Sequence, residues 1–230
     1  MVLVRGASTR STVLKEIMYG VFKADSMRHS FQVRCTSDDE NTLKGTPLHS
    51  ERAFSETEPG FLGMHCSSQI NGAGPMIFVD GWKLAQILES EHPEEYKVLC
   101  STRVNFAKIN EDIDMRASRP TLELNSEGQL RRVTFDEQHR MRWEGGAEQG
   151  GTFLHALNMA ANLLYRSDLA VPHSLEEGDV ILLDTRRVLW GQVPATAGNM
   201  QTIVDCSFVA CDDVHSCLRV LHKTVNSIRE

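Results

Sequence analysis

Leu48-His49-Ser50-Glu51 is the segment of this 230-residue chain whose side chains could do the most chemistry. On a strand, an imidazole and a carboxylate two residues apart point to one face. Together they supply two of the three protein ligands in a two-histidine, one-carboxylate facial triad for non-haem Fe(II), which leaves coordination positions open. The alternative is an ordinary surface strand in which Glu51 pairs with Arg52 or another base. Other polar groupings point to less. His65 beside Cys66 reads as a packed strand residue, His155 flanks the apolar stripe of a helix, and Asp184 and Asp212-Asp213 read as solvated strand ends. Gly145-Gly146 and Gly150-Gly151 do not follow strands as a phosphate loop requires, and no Ser-His-Asp or Cys-His pattern stands out.

The elements that must position His49 and Glu51 are mostly short strands. Val2 to Gly6 reads as a strand, and Val13, Leu14, Ile17 and Met18 are spaced for a helix over 11–18. Residues 38–47 are polar, contain Gly45 and Pro47, and predict a loop into the strand that carries His49. Phe61 to Cys66 and Met76 to Val79 are strand-like, and Asn71-Gly72-Ala73-Gly74-Pro75 between them predicts a hairpin. Leu84, Ile87 and Leu88, then Tyr96 and Leu99, predict two short helices with Pro93 near the start of the second. Thr121 to Leu124 and Gln129 to Val133 alternate around Asn125-Ser126-Glu127-Gly128, a second hairpin. Phe153, Leu157, Ala160, Ala161 and Leu164 predict a helix over 152–165. Val180 to Leu183, Arg187 to Trp190, Thr202 to Ala210 and Leu218 to Leu221 complete the strand candidates. Many short strands with few helices favour a barrel or sandwich over a βαβ repeat.

Composition narrows the class. The length suits one β-rich domain over 1–230, and a net charge of -7 without a basic run argues against nucleic acid. No apolar run is long enough to span a bilayer and no targeting segment is visible, so no membrane partner is expected. Cys35, Cys66, Cys100, Cys206, Cys211 and Cys217 form no Cys-x-x-Cys pair and read as reduced thiols in a cytosol-like compartment.

Taken in order, a set of short segments resembles the γ-butyrobetaine hydroxylase and trimethyllysine hydroxylase branch of the taurine-dioxygenase-like 2-oxoglutarate oxygenases. They include Val2-Leu3-Val4-Arg5-Gly6, Phe31-Gln32-Val33-Arg34, Leu48-His49-Ser50-Glu51, Pro59-Gly60-Phe61, Phe78-Val79-Asp80-Gly81 and Pro93-Glu94-Glu95-Tyr96. Gly178-Asp179-Val180, Asp184-Thr185-Arg186-Arg187-Val188-Leu189 and Asp213 to Leu221 extend the resemblance over nearly the whole chain. It implies a mainly β fold with flanking helices, a double-stranded β-helix or jelly-roll-like barrel. Relatives carry an N-terminal zinc-binding module, so the chain is expected to correspond to the catalytic domain alone. Cytoplasmic and mitochondrial relatives both exist, and homo- or hetero-dimers are expected of the family.

The resemblance also implies a site. Fe(II) would be held by His49 and Glu51, the latter standing where the family usually has Asp. The distal histidine falls on Trp190, whose indole nitrogen is a donor only and has no lone pair for a metal. Trp190 could fill the vacated iron pocket as core or form a stacking platform. The arginine that clamps 2-oxoglutarate falls on Thr202, and a hydroxyl position falls on Met76. Phe31 and Phe208 could supply rings to a trimethylammonium cage, whereas Arg52, at a position that is often aromatic, would repel a quaternary cation. His173, His215 and His222 do not lie at the expected ligand strand. Two readings follow. One is a dioxygenase of impaired or lost activity that hydroxylates a small amine-acid substrate; the other is an inactive homologue serving as a binding or regulatory subunit.

Overall fold

The computed structural model describes residues 1–22, 28–36, 45–57, 59–70, 74–194 and 201–229. One antiparallel sheet runs in the order β1 (Val2–Val4), β11 (Val180–Asp184), β4 (Phe61–Ile70), β13 (Gln201–Val209), β2 (Arg28–Thr36). A second runs β10 (Ala170–His173), β5 (Met76–Asp80), β12 (Val188–Gln192), β3 (Thr46–His49). Two hairpins, β6 (Arg103–Ile109) with β7 (Asp114–Pro120) and β8 (Leu122–Leu124) with β9 (Leu130–Val133), are added at the side. The helices are α1 (Val13–Phe22), α2 (Gly81–Glu91), α3 (Pro93–Ser101), α4 (Ala147–Leu164) and α5 (Cys211–Arg229).

Alternation along the strands builds the core. Leu62 and Met64 of β4, Ile181 and Leu183 of β11, and Val204 and Phe208 of β13 point inward to meet Met76 and Phe78 of β5 and Val188 of β12. The same strands bury their other face too: Val180, Leu182 and Val209 pack against Leu14, Met18 and Phe22 of α1. Those three helix residues recur every fourth position, and burying them contributes on the order of 5 kcal/mol. Gly63 makes the docking possible, because a Cβ there would lie 2.7 Å from Met18 Sδ. On the far side of the second sheet, Leu48, Val79 and Leu189 pack against α2, α3 and α4 through Leu84, Leu88, Leu99, Phe153 and Leu157. Asp80 caps α2 by accepting from Trp82 N at 3.0 Å, and Pro93 opens α3. Two facing antiparallel sheets with helices outside form the double-stranded β-helix that the resemblance implied; among the described residues the sheets do not close on each other.

Several local expectations are corrected. β4 and β5 form no hairpin with each other, since β4 pairs with β11 and β13 and β5 with β10 and β12; residues 71–73 of the expected turn lie outside the described residues. Leu218 to Leu221 is not a strand but the middle of α5, and Asp212-Asp213 are its first turn. A four-residue apolar run fits either element, and the three- and four-residue spacing of Val214, Leu218, Leu221 and Val225 decides for helix. The first helix starts at Val13 and reaches Phe22, and α4 starts at Ala147, before the first residue of its apolar stripe, Phe153. The β6–β7 hairpin was not anticipated. The hairpin at Asn125 forms as expected, with Asn125 Oδ1 accepting from Glu127 N and Gln129 N, both at 2.9 Å.

Candidate functional site

His49 is the last residue of β3, and the β3–β12 ladder sets Trp190 directly opposite it. Trp190 is flanked on its other side by Phe78 of β5. Gly191 permits this approach: a Cβ there would lie 2.6 Å from the Thr46 carbonyl oxygen. Glu51 does not share the strand with His49. It stands in the turn beyond β3, where Arg52 takes a left-handed φ of 50° and Ser55 N donates to the Arg52 carbonyl at 2.9 Å. Ser50, fully buried between them, fixes the geometry by donating from its backbone N–H to the Phe135 carbonyl at 2.7 Å and accepting from Phe135 N at 3.1 Å.

The turn still delivers the Glu51 carboxylate to the imidazole. Glu51 Oε1 lies 3.7 Å from His49 Nε2 and accepts a hydrogen bond from Trp190 Nε1 at 2.9 Å. The Trp190 ring tilts 54° against His49 with centroids 4.7 Å apart. His49 Nδ1 lies 3.0 Å from the Pro47 carbonyl oxygen, which can only accept, so Nδ1 carries a proton. Nε2 therefore faces the carboxylate at ion-pair rather than hydrogen-bond distance. Burial pulls the imidazole pKa down, but the Glu51 carboxylate, the Pro47 carbonyl and the charge of Asp136 outweigh it, and the net shift is upward from 6.5. The product is a polar cluster in which the indole donates to the carboxylate and the imidazole stands at ion-pair distance from it.

This donor set does not complete a facial triad. His49 Nε2 and the Glu51 carboxylate bring two donor groups, whereas the Trp190 indole beside them presents an N–H that already donates to Glu51. Among the described residues, no group of three or more His, Cys, Asp or Glu side chains is placed to hold a metal ion.

The remaining expected site residues are spread through the interior. Thr202 and Met76 are both buried; period-two alternation puts Thr202 on the inner face of β13 with Val204 and Phe208, and Met76 belongs to the apolar core against which Trp190 packs. Phe31, half-exposed on β2, and Phe208 are brought together with ring centroids 5.8 Å apart. Arg52 is not part of that pair: its Nη2 lies 3.8 Å from Met115 Sδ on β7. Glu51 pairs with His49 and Trp190 rather than with Arg52. His65 is fully buried as a strand residue with Nδ1 3.8 Å from Asp205 Oδ2. His155 lies on the exposed side of α4 against Glu95, His173 Nε2 contacts Asp179 at 3.0 Å, and His215 and His222 ride on α5.

Two functional neighbours were missed. One is Ser50, the latch between the two candidate ligands. The other is Asp136, whose Oδ2 lies 2.7 Å from His139 Nδ1 and whose Oδ1 accepts from Gln138 N and His139 N, both at 3.1 Å; the His139 ring rests 4.7 Å from Phe54. The i, i+3 spacing of Asp136 and His139 in a polar loop was the available signal.

A family model described as "Taurine catabolism dioxygenase TauD, TfdA family" matches residues 14–205, and the chain belongs to this family. Its relatives narrow the branch. The chain is 28% identical over 183 residues to a gamma-butyrobetaine dioxygenase from Pseudomonas sp. (strain AK-1), covering 78% of the chain and 46% of that protein. It is 27% identical over 207 residues to the Homo sapiens gamma-butyrobetaine dioxygenase, covering 86% of the chain and 54% of the relative. The chain thus spans about half the length of these curated relatives. Among solved structures, PvcB, described as an Fe, alpha-ketoglutarate dependent oxygenase from an isonitrile synthetic pathway, superposes with a TM-score of 0.65 at 17% identity, covering 90% of this chain and 75% of PvcB. That likeness establishes the shared fold.

Proposed function

We propose that this chain is a gamma-butyrobetaine dioxygenase-like domain of the Fe(II) and 2-oxoglutarate oxygenase type, and that in the chain by itself hydroxylation is impaired or lost. The observation that carries the proposal is the Trp190 Nε1 to Glu51 Oε1 hydrogen bond of 2.9 Å, with the indole packed at a tilt against His49. His49 and Glu51 are then the family's first two ligand positions, and the indole stands at the third. Fe(II) with 2-oxoglutarate supplies O2 activation for C–H hydroxylation where such a site is complete. Thr202 offers a hydroxyl in place of a guanidinium to a dicarboxylate, and Met76 offers a thioether in place of a hydroxyl, so co-substrate affinity falls along with metal affinity. Of the expected substrate residues, the Phe31–Phe208 pair keeps an aromatic surface, whereas Arg52 beside the turn disfavours a quaternary ammonium ion. The role left to such a domain is binding a small molecule or a partner subunit.

One observation favours an oxygenase that still works. His49 donates Nδ1–H to a backbone carbonyl and turns Nε2 toward the carboxylate, the orientation of a metal-ligating imidazole. Both readings are tested by titrating the protein calorimetrically with Mn(II), a redox-inert stand-in for Fe(II), with and without 2-oxoglutarate, alongside an assay for succinate formation with added Fe(II). The proposal expects no saturable Mn(II) binding enhanced by 2-oxoglutarate, and no succinate. Tight Mn(II) binding that 2-oxoglutarate strengthens, with succinate released, would overturn it.

A further inference from the structure

A cleft of about 520 Å³ opens between α3, the start of β6 and the two side hairpins, and none of the residues that line it belongs to the cluster of His49, Glu51 and Trp190. That volume suits a small molecule. Its walls carry three guanidinium groups, Arg103, Arg119 and Arg131, against two carboxylates, Glu56 and Glu123. The cleft is therefore locally positive in a chain of net charge -7.

The strands bring the three arginines together by separate means. Arg103 stands opposite Pro120 and Val104 opposite Arg119 in the β6–β7 ladder, so both arginines belong to the last two rungs at its open end. In the neighbouring hairpin Glu123 pairs with Arg132 and Leu124 with Leu130, which sets Arg131 in a bulge, and a bulge re-aims the side chain it carries. Arg119 is only 8% exposed, which puts its charge in the floor of the cleft, whereas Arg103 and Arg131 are exposed. Arg119 Nη2 donates to the Ser55 carbonyl and Arg103 Nη2 to the Ser118 carbonyl. Neutral carbonyls orient these guanidinium planes without cancelling their charge. Of the two carboxylates, Glu123 pairs with Arg131 at 3.1 Å, and Glu56 is exposed.

The number and spread of the guanidinium groups select the ligand. A planar carboxylate is satisfied by one bidentate fork, whereas a tetrahedral dianion presents oxygens to forks arriving from several directions. Leu124 and Pro120 add an apolar wall for an organic body. We infer that this cleft binds a small phosphomonoester, with its phosphate among Arg103, Arg119 and Arg131 and its body against Leu124. This site stands whether or not His49 and Glu51 hold a metal.

Isothermal titration calorimetry with phenyl phosphate, inorganic phosphate and succinate tests it, on the parent and on Arg103→Ala, Glu56→Gln and Arg116→Ala. Arg116 lies on the same hairpin but outside the cleft, where it pairs with Asp114, and serves as the control for charge alone. The parent is expected to bind phenyl phosphate saturably with a Kd on the order of 100 µM, about 5-fold or more tighter than inorganic phosphate or succinate, and less tightly at high salt. Arg103→Ala should weaken binding about 10-fold, Glu56→Gln should tighten it about 3-fold by removing a like charge, and Arg116→Ala should leave it unchanged. Arg103 and Glu56 are exposed, so both substitutions leave the fold intact, as circular dichroism checks. No saturable binding of phenyl phosphate, succinate bound as tightly as phenyl phosphate, equal affinity in the parent and Arg103→Ala, or a loss in Arg116→Ala as large as in Arg103→Ala would each overturn the inference.

Discussion

Two imidazole–carboxylate pairs in this molecule have nearly the same separation and opposite surroundings. His49 Nε2 lies 3.7 Å from Glu51, and His65 Nδ1 lies 3.8 Å from Asp205. Around the first, the Pro47 carbonyl accepts from His49 Nδ1, the Trp190 indole donates to Glu51 Oε1, and the turn is held by Ser50. Around the second, neither ring nitrogen of His65 nor Asp205 Oδ2 has a hydrogen-bond partner, and the imidazole is simply packed into β4. Distance alone does not make a site. What separates them is whether neighbouring backbone and side chains have been arranged to orient the pair.

The sharpest way to break this comparison is to remove the carboxylate of the built cluster. Glu51→Leu leaves the indole N–H without its acceptor and the imidazole without its counter-charge, and should cost about 3 kcal/mol in urea unfolding. If Trp190 and His49 were merely core, the loss would be under about 1 kcal/mol. The histidines should then diverge. His49→Leu is expected to destabilise by about 2 kcal/mol, whereas His65→Leu replaces an unpartnered imidazole by an apolar side chain and should be neutral or stabilising. Equal losses in the two variants would remove the distinction drawn above.

Smaller effects sharpen it. Ser50→Ala gives up the hydroxyl that accepts from Phe135 N and should cost about 1 kcal/mol, read by thermal denaturation, with the Trp190 fluorescence maximum shifting as the turn relaxes. The pH dependence has a defined sign. Because the folded-state pKa of His49 is raised, its protonated form is bound more tightly in the native protein; the associated stability is fully present below about pH 6.5 and is lost as pH rises through the folded value. The gap in unfolding free energy between the parent and His49→Gln should therefore be wider near pH 5.5 than near pH 8.5. A gap that widens with pH would reverse the assignment of charge at Nε2.

Much of the fold could be read from the residues. Val180 to Leu183 is apolar at every position because β11 is buried on both faces, and the stripe of Phe153, Leu157, Ala160 and Leu164 marked α4. What escaped depended on partners distant in sequence or on single backbone angles. The residue types at Asn71-Gly72 suggest a hairpin, but pairing is decided by which sheet each strand joins, and β4 and β5 join different ones. Glu51 and His49 were expected on one strand; the left-handed φ at Arg52, a non-glycine residue, gives no signal in sequence, and it is the turn that delivers the carboxylate. Trp190 was placed at the vacant ligand position by resemblance, whereas its hydrogen bond to a carboxylate 139 residues away needed the folded chain. The short apolar run at Leu218 was read as a strand, and the longer heptad spacing that contains it was the better guide.

The central claim is that the indole of Trp190 stands where a third ligand would complete a metal site with His49 and Glu51. Titrating Mn(II) into Trp190→His beside the parent tests it most directly, because the substitution alters only the third corner. The account predicts saturable Mn(II) binding in Trp190→His, tighter than in the parent by about 100-fold or more, and its loss again in Trp190→His combined with Glu51→Leu. Equal Mn(II) affinity in the parent and in Trp190→His would contradict it.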